Sequence, residues 1–477
     1  MRSRQSSQAR GRATQAIKAP EVPEGSRPLG DFFAKEAASA ADKRTGLLVF
    51  IRPDSDAHAA STDLCEKGSP DESIESGHKM NMASGRRGLA SRDCPICGST
   101  GKDFIYRQLF DAASGCALME GYDVVVCRQC GLGFADGIPP QREFDAYYES
   151  MSKYEGRSGS DADNPSIRER IDAAAEFIAR ATANRDARIL DVGCSTGDLL
   201  VALKRRDFSN LVGLDPSPVC ARAVAEREGL VGRQGFLGDL PGWGESFDVV
   251  CMAQVLEHVR DLRAALTQVR AVIHPRGALF VEVPNVQGFA SCFDGPFQQF
   301  STEHINYFSG SSLANLLRIA GFSASSMSFL GTSAGVMIRM IAARVEGDEP
   351  RLEQDFGTRS ALAEYVEKSR QVDTAVLVEI ESLASSGRPI IVWGTGTHTL
   401  RLLRTSALGR ANVVGFIDSN PHYQGRTVAG VPVASPQWLQ GRSEPVLVSS
   451  WVYQQDIVRQ IRHELGCSND LICLYDR

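Results

Sequence analysis

The chain has 477 residues, 43% of them apolar and 23% charged, with a formal net charge of −6. That length calls for more than one domain, each with a sizeable core, and the mild acidity excludes a general electrostatic grip on nucleic acid. No run of about 18 apolar residues occurs, which excludes a helical membrane span, and no apolar signal-peptide core stands near the start.

The sequence therefore predicts a cytoplasmic protein. Its 12 cysteines are expected to be thiols or metal ligands, not disulfides. Residues 1–90 predict disorder. MRSRQSSQARGRATQAIKAP carries five basic residues and no acid, and between residues 21 and 90 only GLLVFI at 46–51 is clearly apolar. Too little can be buried there to offset chain entropy. A transit peptide is the alternative for such an acid-poor start. Translation from Met80 or Met82 would remove the segment altogether.

Residues 91–150 hold two C-x-x-C knuckles and a polar connector. Cys94 and Cys97 form CPIC, Cys127 and Cys130 form CRQC, and a glycine follows each pair. Four thiolates so paired predict a closed tetrahedral zinc site with no open position, hence a structural one. The segment between the pairs is longer than a compact ribbon needs and predicts a small hairpin, with YDVVVC as one strand. Cys116 fits neither pair. Zinc knuckles can bind nucleic acid, but this loop lacks the dense basic and aromatic residues for it.

Residues 151–345 alternate strand and helix patterns. ARILDVGCSTGDLLVAL reads as strand, glycine turn and helix, with Asp191, Gly193 and Gly197 as the informative residues. LVGLDPS ends a second strand in Asp215, placed to accept hydrogen bonds from ribose hydroxyls. GFLGDLP puts Asp239 and Leu240 at the expected end of a third strand. SFDVVCMAQVLEHV reads as a fourth strand followed by Glu257 and His258, a helix start shaping the pocket floor. ALFVEVPNV is the fifth, with Glu282 and Asn285 facing the crevice. QFSTEHINYFSGSSL (299–313) comes next, then a helix capped by serine and ended by Gly321, then a strand pair. Residues 346–387 read as a linker and a helix ending at Gly387. Residues 388–477 form a second α/β unit, in which RPIIVWGTGTHTL has Gly394 and Gly396 but Thr399 at the third glycine position. Asp418 and His398 are its polar features.

The D-x-G-x-x-x-G turn with Asp215, Asp239 and Glu257-His258 in order resembles the class I methyltransferases that use S-adenosylmethionine (SAM). The fold class expected is α/β, a Rossmann-like methyltransferase domain between an N-terminal zinc-binding module and a C-terminal Rossmann-like domain. The resemblance implies Gly193 and Gly197 near the methionine part of SAM, Asp215 at the ribose, and Asp239 and Leu240 near adenine, with Asp191 also among the cofactor residues. Ser195 stands where many members have another glycine.

EVPN, EHINYFS and GTSAGVMIRM together resemble the sugar C-methyltransferases, as does the three-part layout over about residues 92–477. These act on nucleotide-linked ketosugars. That resemblance implies His304 as acid/base, with Glu303 as its polar neighbour. Carbon is methylated only as a nucleophile, so a proton beside a ketone must leave, and a base near neutral pKa suits the step. The family often has tyrosine three residues before this histidine; here it is Ser301, and Tyr307 is the nearby phenol. The rival readings are an O- or N-methyltransferase on another small molecule or sugar, a non-catalytic zinc-containing assembly protein, and Glu303-His304 as a purely structural turn. The expected partner is a small-molecule substrate, not nucleic acid or membrane; oligomeric state stays open.

Overall fold

The computed structural model describes residues 91–111, 118–150, 165–332, 335–346 and 351–475. The disorder expected of 1–90 and the unpaired Cys116 lie outside the described residues. Among the described residues no helix is long and apolar enough to cross a membrane.

The elements run in chain order. β1 (Lys102–Leu109), β2 (Gly121–Cys127) and β3 (Gly133–Asp136) form an antiparallel meander, so the expected hairpin is present with a third strand added. Alternation along β2 feeds two cores. Tyr122, Val124 and Val126 point into one, and Val125 and Cys127 into the other. α1 (Gln141–Ser150) and α2 (Pro165–Ala181) come next.

β4 (Arg188–Val192), α3 (Asp198–Lys204), β5 (Asn210–Asp215), α4 (Pro218–Ala225), β6 (Leu230–Gln234), β7 (Phe247–Ala253), α5 (Leu262–Val272) and β8 (Ile273–Pro284) are wound as parallel strands with crossover helices. β9 (Asn306–Tyr307), α6 (Gly310–Ile319), β10 (Phe322–Thr332) and β11 (Gly335–Arg344) complete this part of the chain. The sheet order is β10-β11-β8-β7-β4-β5-β6, with β10 and β11 antiparallel additions, as the predicted strand pair required. Ser309 caps α6 and Gly321, at φ +77°, ends it. GFLGDLP is not a strand end. β6 stops at Gln234, and the segment turns into a 3-10 helix over Leu237–Trp243 that contains Pro241.

α7 (Gly357–Ser386) ends at Gly387 in the left-handed conformation. β12 (Ile390–Trp393), α8 (Thr397–Thr405), β13 (Val413–Ile417), β14 (Thr427–Val428), β15 (Val431–Ala434), β16 (Val446–Val448), α9 (Gln454–Arg459) and β17 (Leu471–Cys473) build a six-stranded sheet, β14-β15-β13-β12-β16-β17. α7 is tied to α8 by a buried pair in which Arg401 donates both Nη atoms to Asp373.

One feature was not legible in the pattern. The fourth strand of the meander sheet is β9, from the EHINYF stretch. Gly133 pairs with Tyr307 and Phe134 with Asn306.

Removing one partner of a buried ion pair leaves an uncompensated charge, which costs about 3–5 kcal/mol. Asp373→Ala should therefore destabilise the chain by about that much in denaturant unfolding, and the double change Asp373→Ala with Arg401→Met should recover most of it.

Candidate active site

The glycine turn is held by the second strand. Gly193 and Cys194 both donate their N–H to the Leu214 carbonyl, at 2.8 and 3.1 Å. Gly193 (φ +70°) and Gly197 (φ +85°) are left-handed, and Ser195 shares that region at φ +49°. The Ser195 N–H is fixed by Asp215 Oδ2 at 2.8 Å, and Oδ1 of the same carboxylate accepts from Ser217 N at 2.9 Å. That brace offsets the strain of a non-glycine residue there. The same carboxylate lines the cavity beyond the strand ends.

Beyond the strand ends lies a cavity of about 740 Å³, in the crevice where open α/β sheets bind ligands. Asp191, Gly193 and Asp215 line it, with Ser195 and Asp198 from the same turn. Phe236, Leu237 and Gly238 form the wall where adenine was expected. Asp239 and Leu240 are not in that wall. Asp239 accepts the Phe236 N–H at 2.8 Å, and Leu240 is wholly buried in the core. Gly197 supports the turn from behind: a Cβ there would stand 2.9 Å from Val224 Cγ2. Burial pushes the Asp191 carboxyl up to about 8, Asp215 adds to it, and Arg170 opposes it.

Tyr148, His258 and His304 come to the same cavity from α1, the turn after β7 and the segment before β9. The imidazoles of His258 and His304 meet edge to face at 4.8 Å. His258 Nδ1 lies 3.0 Å from the Tyr148 hydroxyl and 3.2 Å from the Glu303 carbonyl. Glu257, His258 and His304 bring their ligand atoms within 4.8 Å of one another. Glu303 is buried outside the lining, where its Oε1 accepts from Tyr147 OH at 3.1 Å. Tyr307 is turned away; its hydroxyl donates to Tyr122 at 3.2 Å within the core. Ser301 has a role of its own: its Oγ accepts the N–H of His304 (3.0 Å) and of Glu303 (3.2 Å). Tyr148 was concealed in a connector, YYESMSKYEG, with no pattern to mark it.

The fifth-strand carboxylate does not face the crevice. Glu282 is fully buried and accepts from Arg339 and Arg170. Asn285 accepts the Gln287 N–H and starts a short turn.

Cys94, Cys97, Cys127 and Cys130 converge, with all four sulfurs within 4.8 Å and two Sγ–Sγ separations of 3.5 Å. Ligands about 2.3 Å from a tetrahedral centre stand roughly 3.8 Å apart, so the cluster fits one ion. Hydrogen bonds from Cys130 and then Cys94 lower the Cys127 thiol pKa. The second knuckle leads directly into β3, whose Ala135 N–H donates to the Ile305 carbonyl at 2.9 Å.

In the C-terminal domain Asp418 repeats the Asp215 arrangement: Oδ2 accepts from Thr395 N at 2.9 Å and Oδ1 from Asn420 N at 2.8 Å. His398 is buried with Nε2 2.9 Å from the Tyr475 hydroxyl, and burial lowers its pKa well below the ordinary value. It does not stand at a solvent-facing helix start.

Residues 166–326 match the family described as "Methyltransferase domain", and residues 342–473 match the "C-methyltransferase C-terminal domain". The chain is a class I SAM-dependent methyltransferase carrying a C-methyltransferase C-terminal domain. It is similar to the C-methyltransferase NovU of Streptomyces niveus, at 24% identity over 70% of this chain and 81% of that one. A ubiquinone biosynthesis O-methyltransferase of Azorhizobium caulinodans is 37% identical, over 23% of this chain and 45% of that one. Among solved structures, the 1,6-didemethyltoxoflavin N1-methyltransferase of Burkholderia thailandensis aligns at 18% identity and TM-score 0.36, covering 46% of this chain and 97% of that one.

SAM carries two positive charges and one negative near neutral pH, so its binding beside Asp191, whose carboxyl burial pushes up to about 8, is expected to favour the ionised carboxylate and release a proton. SAM affinity should therefore rise with pH until about 8 and then level off. Calorimetry in buffers of different ionisation heat should show the proton released, and Asp191→Asn should remove the pH dependence.

Proposed function

We propose that this methyltransferase adds a methyl group to carbon, beside the ketone of a nucleotide-linked sugar, with His304 as the acid/base. The observation that carries this is the placement of His304: it lines the cofactor cavity, against His258, with its backbone fixed by Ser301. The similarity to NovU over most of both chains and the C-methyltransferase C-terminal domain support carbon as the acceptor.

Carbon alkylation sets the steps. His304 takes a proton from the carbon next to the carbonyl, and the electron pair moves onto the carbonyl oxygen as an enolate. SAM supplies an electrophilic methyl group: the new carbon–carbon bond forms as the carbon–sulfur bond breaks, and that bond's electron pair stays on sulfur. Tyr148 and His258 are the donors in the same wall that serve the enolate oxygen. Glu303 contributes indirectly. Its carboxylate anchors to Tyr147 and its carbonyl meets His258, so it orients the imidazole pair.

The four-cysteine cluster is assigned to structural zinc. All four positions are sulfur, so no site is left for substrate. Metal analysis of the purified chain should give one zinc per molecule, and Cys130→Ser should lose it.

His304→Ala should abolish turnover while S-adenosylhomocysteine (SAH) affinity stays within about twofold, because the cofactor turn is separate from the base. Unaltered turnover would refute the acid/base assignment. A panel of nucleotide-linked ketosugars, with the product methyl located by NMR, tests the acceptor atom. A methyl on oxygen would replace the enolate reading with direct deprotonation of a hydroxyl.

A further inference from the structure

We infer that the C-terminal domain and α7 act as a clamp that positions His304, chiefly through Tyr365 and Trp451. This rests on the reading of His304 as the acid/base. The domain does not line the cavity: among the described residues, none beyond Met337 does so. The polar groups of its own glycine turn are engaged internally. Thr395 bonds to Asp418, and Thr399 donates to Ser449 at 2.7 Å.

Its reach into the site runs through residues 285–305, the strap between β8 and β9 that ends in Glu303 and His304. The Tyr365 hydroxyl donates to the Gly295 carbonyl at 3.1 Å and accepts the Gln299 N–H at 3.0 Å. One phenol thus closes the tight turn on both sides. Phe297 sits inside that turn at φ +56°, a conformation that is costly for a bulky L-residue and persists only where surroundings over-determine it. Those surroundings are specific. The Phe297 N–H donates to Ser369 Oγ at 3.0 Å, its ring stacks on Tyr106 at 4.5 Å, and the Arg401 guanidinium lies 5.0 Å over it.

Trp451 presses on the same turn from the loop after β16. A Cβ on Gly295 would come within 3.0 Å of Trp451 Cβ, and Phe293 meets the indole edge at 5.4 Å. From Phe297 the strap runs four residues to Ser301, whose carbonyl accepts from Tyr122 at 2.7 Å and whose hydroxyl fixes the His304 N–H. A shift of the turn is therefore passed along a short, hydrogen-bonded chain to the imidazole. Misplacement of a catalytic group by about 1 Å can cost about 100-fold in rate.

The test uses the full chain with two substitutions. Tyr365→Phe keeps the ring and leaves the Gln299 N–H and Gly295 carbonyl without their shared partner. Gly295→Ala strains the turn twice over, by placing an L-residue at φ +131° and by driving a methyl group against Trp451. Thr427→Ala, on the far edge strand of the C-terminal sheet, is the control. Three quantities are measured: SAH affinity by calorimetry, the His304 imidazole resonances in histidine-labelled protein (assigned by their loss in His304→Ala), and turnover on the ketosugar panel. Both substitutions are expected to shift the His304 resonances and lower kcat about 10- to 100-fold. SAH affinity should stay within about twofold, and the control should do none of this. Unshifted His304 resonances would overturn the clamp, as would SAH affinity falling in step with kcat. Should the wild type methylate no ketosugar, the acceptor reading fails alone, and the resonances still decide the clamp.

Discussion

Two residues of extended backbone hold the segment around His304 in place. Asn306 and Tyr307 leave the methyltransferase domain and pair with β3 of the four-cysteine module. That pairing fixes the main chain directly after His304. The same short stretch is bonded on its other side to the turn bearing His258: the Ile305 N–H donates to the Glu257 carbonyl at 2.8 Å, and Asn306 Nδ2 donates to the Leu256 and Val259 carbonyls at 2.8 and 2.7 Å. Arg92, just ahead of the first knuckle, donates to the Ile305 carbonyl at 3.3 Å. The four-cysteine cluster sets the hairpin on which β9 is registered, so the knuckles have a direct geometric line to the segment that carries His304.

The two Rossmann-like sheets solve one problem in one way. Each first strand ends in a tight turn bonded back to the second strand, and each second strand ends in an aspartate that catches one further N–H of that turn. Asp215 holds Ser195, and Asp418 holds Thr395. In the methyltransferase domain the braced turn borders an open cavity. In the C-terminal domain the corresponding polar side chains are spent on Ser449 and Tyr475. The shared architecture therefore does not imply a shared ligand.

Features whose chemistry is local were legible in the sequence. Glycines at positive φ, cap residues and paired cysteines each state their own conformation, so the first two strand–turn units of the methyltransferase domain, the ends of α6 and α7 and the four-sulfur cluster follow from spacing. Assignments that depended on which face a side chain takes fared differently. Asp239, Leu240, Glu303 and Glu282 stand within a few residues of the cavity, but each is turned into a hydrogen bond, a core or an ion pair. Long-range meetings left no local signal. Nothing in YYESMSKYEG announces that Tyr148 meets His258, and nothing in EHINYF announces a strand joining a distant hairpin. Ser301 marks the limit well. Where a phenol was expected, a small hydroxyl holds the backbone of the histidine itself, a role that geometry shows and spacing does not.

Removal of a proton from carbon by His304, as proposed, can be observed without methyl transfer. A nucleotide-linked ketosugar would be incubated in deuterated water with the enzyme and SAH, and deuterium entry followed by NMR. Exchange is expected at the carbon next to the ketone with the wild type and none with His304→Ala. Exchange undiminished in His304→Ala would contradict His304 as the base, as would a sugar that is methylated on carbon yet never exchanges.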